Sequence, residues 1–150
     1  MKIYKFCTII LLFFILATNS NAQCIGFARS MAKPKLVPYI HDGNYNATFI
    51  EEGESAELYK TFFKGQEYRM VFDAVENLPR NVRIRILDAQ RNIIFDNADH
   101  NYAYVWDFES KTNETLTIHI KVPESNPEND TLIGGCIAVL FGVKSEGKRK

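Results

Sequence analysis

The chain has 150 residues, of which 18 are Lys or Arg and 18 are Asp or Glu, so its formal net charge at pH 7 is zero. This balance does not indicate binding to nucleic acid or to an anionic membrane surface. No stretch of the sequence matches a catalytic or cofactor motif, so we predict no catalytic residue and no cofactor.

The first 22 residues are typical of a secretory signal peptide. Two lysines precede an apolar run from Phe6 to Ala17, and a short polar stretch ends at the small residue Ala22. This order predicts cleavage between Ala22 and Gln23. The apolar run is shorter than the about 20 residues that a membrane-spanning helix needs, so we expect no transmembrane segment in the mature chain. The protein is therefore predicted to be periplasmic, cell-surface or secreted.

The cysteines indicate one disulfide. Removal of the signal peptide also removes Cys7 and leaves Cys24 and Cys136 as the thiols of the mature chain. Because an exported protein meets oxidising conditions, we predict that these two residues pair. A lipoprotein signal also ends just before a cysteine, but it requires a small residue where this chain has Gln23. Lipidation of Cys24 remains as the alternative.

The mature chain has the size of one domain and the pattern of an all-β protein. We assign residues 23–143 to a single domain and residues 144–150 to a flexible basic tail. Runs of β-branched and aromatic residues are separated by turn residues, whereas no window sustains apolar residues at helical spacing. One short helical turn is predicted within residues 26–34, ended by Pro34.

About eight short strands predict an antiparallel two-sheet sandwich. In chain order the predicted strands are residues 44–51, 56–63, 67–74, 82–88, 93–95, 102–109, 115–122 and 136–143. Turns around Gly53 and Gly65 predict hairpins between the first three strands, and residues 89–92 predict another. Alternation places Tyr68, Met70 and Phe72 on a core-facing side. The last strand is apolar on both faces, which predicts a central position.

The stretch "ELYKTFFKGQEYRMVF" followed by "VRIRILDAQRNIIF" resembles the bacterial pre-peptidase C-terminal type of β-sandwich. In that family, a strand ending in an aromatic residue, a Gly-Gln turn and a Tyr-containing strand precede a strand with a terminal Asp and a hairpin. The resemblance implies a jelly-roll-like accessory or binding module, and it implies no particular substrate.

Metal binding is considered at one turn. Asn97, Asp99 and Asn101 have the every-second-residue spacing of calcium loops, but the glycine and the distant glutamate of an EF-hand are missing, so a plain turn is favoured. The three histidines are scattered and lack zinc-site spacing, and solvent-facing positions are predicted for them; they are His41, His100 and His119. We predict no metal site.

Aromatic residues alternate along one predicted strand and could contact a ligand. Tyr102, Tyr104, Trp106 and Phe108 form one stripe, and the opposite stripe is more polar. We therefore expect the aromatic stripe to be buried, with Trp106 structural and only the Tyr102 end reaching solvent. Because aromatic rings pack against sugars, Tyr102 and Tyr104 are the possible ligand contacts.

Two further patterns concern the surface. Arg69, Arg83 and Arg85 could form a basic patch, but acidic residues on the same strands favour ordinary cross-strand ion pairs. The sequence Asp130-Thr131-Leu132 resembles the acceptor of an O-glycosylation system of exported proteins in some Gram-negative bacteria, which makes Thr131 a possible modification site.

These observations predict a non-enzymatic exported β-sandwich of a bacterial envelope that binds a protein or a glycan, or serves as an accessory subunit. The alternative is a small secreted hydrolase in which Asp96 and Asp99 would act as acid and base.

Overall fold

The computed structural model describes residues 20–124 and 133–145 of the chain. The N-terminal helical segment comprises α1 (Ser20–Phe27), a π-helical turn (Ala28–Ala32) and a 3₁₀ turn (Lys33–Leu36). The strands are β1 (Ile40–His41), β2 (Asn46–Glu51), β3 (Ser55–Phe62), β4 (Glu67–Ala74), β5 (Arg83–Leu87), β6 (Ile93–Asp96), β7 (Val105–Glu109), β8 (Glu114–Lys121) and β9 (Gly134–Val143). A second 3₁₀ turn (Asn97–His100) follows β6.

The strands form two antiparallel sheets that pack as a sandwich. One sheet has five strands: β2 and the short β1 both pair with β9, which is followed by β4 and β7. The other sheet has the order β3-β8-β5-β6. With β2-β9-β4-β7 facing β3-β8-β5-β6, the strand order is that of a jelly roll. The predicted two-sheet, jelly-roll-like sandwich is therefore confirmed.

The core lies between the sheets and follows the period of two seen in the sequence. Tyr68, Met70 and Phe72 on β4 are all buried, as the alternation predicts. Burial of such side chains is the main favourable term in folding. Other large buried side chains come from both sheets and include Phe62, Ile84, Leu116, Ile118 and Phe141.

The pairing of the early strands differs from the prediction. The turns at Gly53 and Gly65 are present, and both glycines have a φ of +79°. However, β2 pairs with β9, β3 pairs with β8 and β4 pairs with β7 and β9, so neither turn closes a hairpin. Each turn instead carries the chain from one sheet to the other. The predicted hairpin between β5 and β6 does form.

The N-terminal helical segment is longer than the single turn predicted and covers the outer face of the five-stranded sheet. Ala28, Ala32 and Leu36 are buried against Val71 and Leu140. Because this face is covered by helix and the other by the second sheet, β9 is apolar on both sides, as the sequence predicts.

A disulfide joins this segment to the sheet. Cys24 of α1 and Cys136 of β9 are bonded, as the sequence predicts, with a Cα–Cα distance of 5.1 Å and a separation of 112 residues. Disulfides are typical of exported proteins. Within residues 20–124 and 133–145, no helix is long and apolar enough to span a bilayer. Most of the predicted signal peptide, residues 1–19, lies outside the described residues, so the cleavage site stays a prediction.

Candidate functional site

Two loops at one end of the sandwich form a cleft of about 600 Å³. One loop, residues 75–82, joins β4 to β5, and the other, residues 97–104, joins β6 to β7. We call this cleft the end cleft; its lining residues are Arg80, Asn81, Asn101, Tyr102 and Tyr104. The structure thus brings together the two tyrosines that the sequence singles out as possible ligand contacts.

The side chain of Asn97 anchors the β6–β7 loop to the start of β5. Asn97 is fully buried, its Oδ1 accepts a hydrogen bond from the Ile84 N–H at 2.8 Å, and its Nδ2 donates to the Val82 carbonyl at 3.0 Å. Asp96 caps the 3₁₀ turn by accepting from the Ala98 N–H at 3.0 Å. These bonds satisfy buried backbone groups and fix the position of the loop before it reaches the cleft.

The loop reaches the cleft through two residues in the left-handed region. Asn101 and Tyr102 both have a φ of 55°. Asparagine tolerates this conformation, whereas tyrosine rarely adopts it. The Tyr102 N–H donates to the Asn97 carbonyl at 2.8 Å, which holds the strained backbone. Strain that is held in this way recurs at ligand-binding sites.

The β4–β5 loop is held from both sides. Asn77 donates through Nδ2 to the Gly134 carbonyl at 2.8 Å, and the Val75 N–H donates to the Cys136 carbonyl at 3.0 Å. On the other side, the Tyr104 hydroxyl donates to the Arg80 carbonyl at 3.1 Å. Hydrogen bonds therefore hold the loops that form the walls of the end cleft, and walls held in this way lower the entropic cost of binding.

A second cleft of about 500 Å³ adjoins the end cleft, with Arg80 and Tyr104 in the lining of both. Its lining also includes Lys35 and Asp73, which form an ion pair with Nζ 2.6 Å from Oδ2, and Leu78, which is buried. Tyr104 thus borders both clefts. Together the two clefts could accept an extended ligand.

The end cleft offers aromatic faces, two side-chain amides and one guanidinium group. Aromatic rings provide apolar contact, while amides and a guanidinium fix the orientation of polar groups on a ligand. None of the five lining side chains is a cysteine, serine, histidine or carboxylate. The chemistry of the cleft suits binding of a ligand rich in hydroxyl groups.

The hydrolase alternative depends on Asp96 and Asp99, and the structure gives Asp96 a structural role. Arg83 donates to both carboxylate oxygens of Asp96, with Nη2 at 2.6 Å from Oδ2. This hydrogen bonding with Arg83 holds the pKa of Asp96 below its ordinary value. A general acid needs a raised pKa, so Asp96 is poorly suited to that role. Asp99 is exposed.

The calcium candidates do not present three free oxygens. The amide of Asn97 is turned inward and bound to backbone groups, as described above, while Asp99 and Asn101 are exposed. Within the part of the chain that the structure describes, no three His, Cys, Asp or Glu side chains are grouped so as to hold a metal ion.

The aromatic stripe on β7 is only half-buried, so the predicted burial of Trp106 is corrected. Trp106 stacks on Phe95 with ring centroids 4.6 Å apart and on Phe108 at 4.3 Å. This stack closes the side of the sandwich between the edge strands β6 and β7. Because β7 is an edge strand, the stacked rings remain partly exposed to solvent. Trp106 and Phe108 pack against the buried core between the sheets.

The remaining sequence candidates have the following positions. Arg69 pairs with Asp107 across β4 and β7, with Nη2 2.6 Å from Oδ2, and Arg83 pairs with Asp96, both as predicted. Thr131 lies outside the described residues. Arg80 and Asn81 were missed, because a loop residue after a proline carries no periodic signal.

A third cavity, of about 190 Å³, opens between the edge strands β2 and β3 and is mostly apolar. Its polar side chains are already engaged: Asn46 donates to the Val139 carbonyl at 3.1 Å, and Glu57 pairs with Arg91. It therefore lacks free polar groups that would orient a ligand.

No protein-family model and no curated protein sequence matches this chain. One solved structure of similar fold is that of Aeromonas hydrophila PliG, a periplasmic lysozyme inhibitor of g-type lysozyme. The two share 8% sequence identity, and the similarity covers 69% of this chain and 88% of that chain with a TM-score of 0.47. Of the resemblance to pre-peptidase C-terminal domains, the two-sheet sandwich is present in this structure, and no family-level match extends the resemblance further.

Proposed function

We propose that this protein is an exported, non-catalytic β-sandwich of a bacterial envelope that binds an oligosaccharide in the end cleft. The observation that carries the proposal is the convergence of Tyr102, Tyr104 and Asn101 with Arg80 and Asn81 on one cleft. Aromatic faces stack on the apolar side of a pyranose, and amides bind its hydroxyl groups.

The shape of the site supports a glycan over a protein surface. A glycan enters a concave, fixed cleft, whereas a protein partner needs a contact of about 800 Å² on each side. Two clefts that share Arg80 and Tyr104 in their linings suit a chain of sugar units. The disulfide and the predicted signal peptide support an exported location.

The test is an affinity measurement by calorimetry against a panel of soluble peptidoglycan fragments, chitooligosaccharides and β-glucan oligomers. We expect at least one member to bind the wild-type protein and Tyr102→Ala to weaken that binding about ten-fold, since stacking on an aromatic ring contributes on the order of 1 kcal/mol or more. The matched control is Tyr59→Ala, because Tyr59 is 67% exposed on β3, away from the end cleft.

Equal affinity of Tyr102→Ala and wild type for every glycan that binds would contradict the proposal. Turnover of a glycan or an ester that stops when Asp96 or Asp99 is replaced would instead establish the hydrolase alternative.

A further inference from the structure

The outer face of the four-stranded sheet is a second surface without an assigned role. The helical segment covers the other sheet, and along β3 every outward side chain is exposed. These side chains are Ser55, Glu57, Tyr59 and Thr61. A sheet face that is exposed to water is expected to carry polar side chains. On this face, charged side chains are also arranged in a row across the strands.

Four ionisable residues form a row across all four strands. By register, Glu57 on β3 is opposite His119 on β8, His119 is opposite Arg85 on β5, and Arg85 is opposite Asp96 on β6. Directly opposed side chains in a sheet lie within contact distance. Cation and anion would be expected to alternate along such a row, but its two central members are an arginine and a histidine.

Both carboxylates of the row are already bound to arginines outside it. Glu57 pairs with Arg91 at 3.0 Å, and Asp96 pairs with Arg83 at 2.6 Å. Among the described residues, no carboxylate forms an ion pair with Arg85. Its Nε and the Nδ1 of His119 are buried atoms without a hydrogen-bond partner. Because the Nε of arginine always carries a proton, burying it without an acceptor is unfavourable. Arg85 is therefore left without a paired carboxylate, because Asp96 opposite it is bound to Arg83.

We propose that this face, which we call the arginine row (Glu57, His119, Arg85 and Asp96), is a docking surface for an acidic segment of a protein partner. Arg85 is half-buried and its Nε is inaccessible, so a carboxylate of the partner would accept hydrogen bonds from the outer nitrogens of the guanidinium. The neighbouring residues Arg83 and Lys121, opposed on β5 and β8, add positive charge.

A protein fits this face better than an anionic polysaccharide. The face is a sheet surface, and Tyr59, which is 67% exposed, lies two residues from Glu57 on the same strand. Arginine and tyrosine are the residue types that carry most of the binding energy in protein interfaces. This second surface is independent of the end cleft.

The test uses a fluorescent decaglutamate peptide as the probe and measures its dissociation constant by anisotropy at about 50 mM salt, where charge screening is weak. We expect Arg85→Gln to weaken binding about ten-fold or more. The matched control is Arg29→Gln, which removes the same charge from the helical segment beside Tyr45 and is expected to change affinity less than about two-fold. Tyr102→Ala is expected to have no effect, so failure here and failure at the end cleft are distinguishable.

Urea unfolding of each variant shows whether it is folded, and Arg85→Lys provides a second variant that keeps the cation but loses the planar fork. We expect Arg85→Lys to bind more weakly than wild type. Affinity that is unchanged in both Arg85 variants would overturn the proposal, as would absence of peptide binding. Binding of polygalacturonate without binding of the peptide would also overturn it, in favour of an acidic polysaccharide.

Discussion

Tyr104 and Arg80 connect the two loops of the end cleft, because the Tyr104 hydroxyl donates to the Arg80 carbonyl at 3.1 Å. Tyr104→Phe keeps the ring in the cleft and removes this bond. We expect it to lower the free energy of unfolding by about 1 kcal/mol. We also expect it to weaken glycan binding several-fold, because the hydrogen bond that holds the two loops together is lost. Urea unfolding and calorimetry measure the two effects.

A matched control for this change is Tyr59→Phe. The Tyr59 hydroxyl donates to Glu57 Oε2 at 3.2 Å, two residues away on the same strand, so its loss separates no loops. We expect Tyr59→Phe to alter both quantities very little. Equal effects of the two substitutions would show that the Tyr104 hydrogen bond does not hold the loops of the end cleft together.

Among the polar residues at this end of the sandwich, we expect substitution of Asn97 to lower the free energy of unfolding most. Asn97→Ala leaves the Ile84 N–H and the Val82 carbonyl without their buried partners. The expected loss is about 2–4 kcal/mol in the free energy of unfolding. Asn81→Ala, at an exposed position in the other loop, is expected to cost less than about 0.5 kcal/mol. Similar losses for both variants would contradict the anchoring role.

The strands could be predicted from the sequence because their signal is local. The predicted bounds 67–74 are those of β4, although Val71 and Asp73 on its other side are buried as well. The apolar run from Cys136 identifies β9 as a central strand. Pairing could not be predicted in the same way. Gly53 and Gly65 specify where the chain turns, but the partners of β3 and β4 are chosen by packing between distant segments, so the expected hairpins were wrong.

The helical segment was underestimated for a different reason. Its buried side is made by Ala28, Ala32 and Leu36, spaced four residues apart. Small residues give a weak apolar signal, although this spacing is the one that could have indicated a helix face.

For the site, Tyr102 and Tyr104 were predictable from the aromatic pattern. Arg80 and Asn81 reach the cleft only through tertiary placement of their loop.

The disulfide is expected to contribute substantially to stability. Cys24 and Cys136 are 112 residues apart in the sequence, and replacing both by serine opens the loop that their disulfide closes. The chain-entropy model gives about 4–5 kcal/mol for such a loop, which is an upper figure. Unfolding with and without reductant measures the difference, and the double variant should not respond to reductant.

Intact mass after alkylation of the unfolded, unreduced protein provides an independent check. We expect no alkyl group on Cys24 or Cys136. Two added groups would exclude the bridge, and a diacylglyceryl mass on Cys24 would establish the lipoprotein alternative.

The titration of His119 is expected to make the stability of the protein depend on pH. Burial lowers the pKa of its imidazole below the ordinary value of 6.5, and Arg85 lowers it further; Arg91 and Lys121 act in the same direction, and Glu57 opposes them. Because the unfolded state then binds more protons, stability is at its full value above pH 6.5 and falls as pH decreases below it. His119→Gln should remove this slope.

The same residue can be followed directly by NMR titration of its ring protons. Arg85→Gln is expected to raise the pKa of His119 toward its ordinary value, because it removes a facing positive charge. Arg29→Gln, on the helical segment, should leave that pKa unchanged. An unaltered His119 titration in Arg85→Gln would contradict the proximity of the two groups.

The central claim, that the end cleft binds a glycan, is tested most directly by the ring signals of the tyrosines. NMR spectra of protein with labelled tyrosine rings would be recorded during titration with the glycan of highest affinity from the panel. We predict saturable shifts of Tyr102 and Tyr104 with the dissociation constant found by calorimetry, and no shift of Tyr59. Shifts confined to Tyr59, or saturable binding that leaves Tyr102 and Tyr104 unchanged, would contradict the claim.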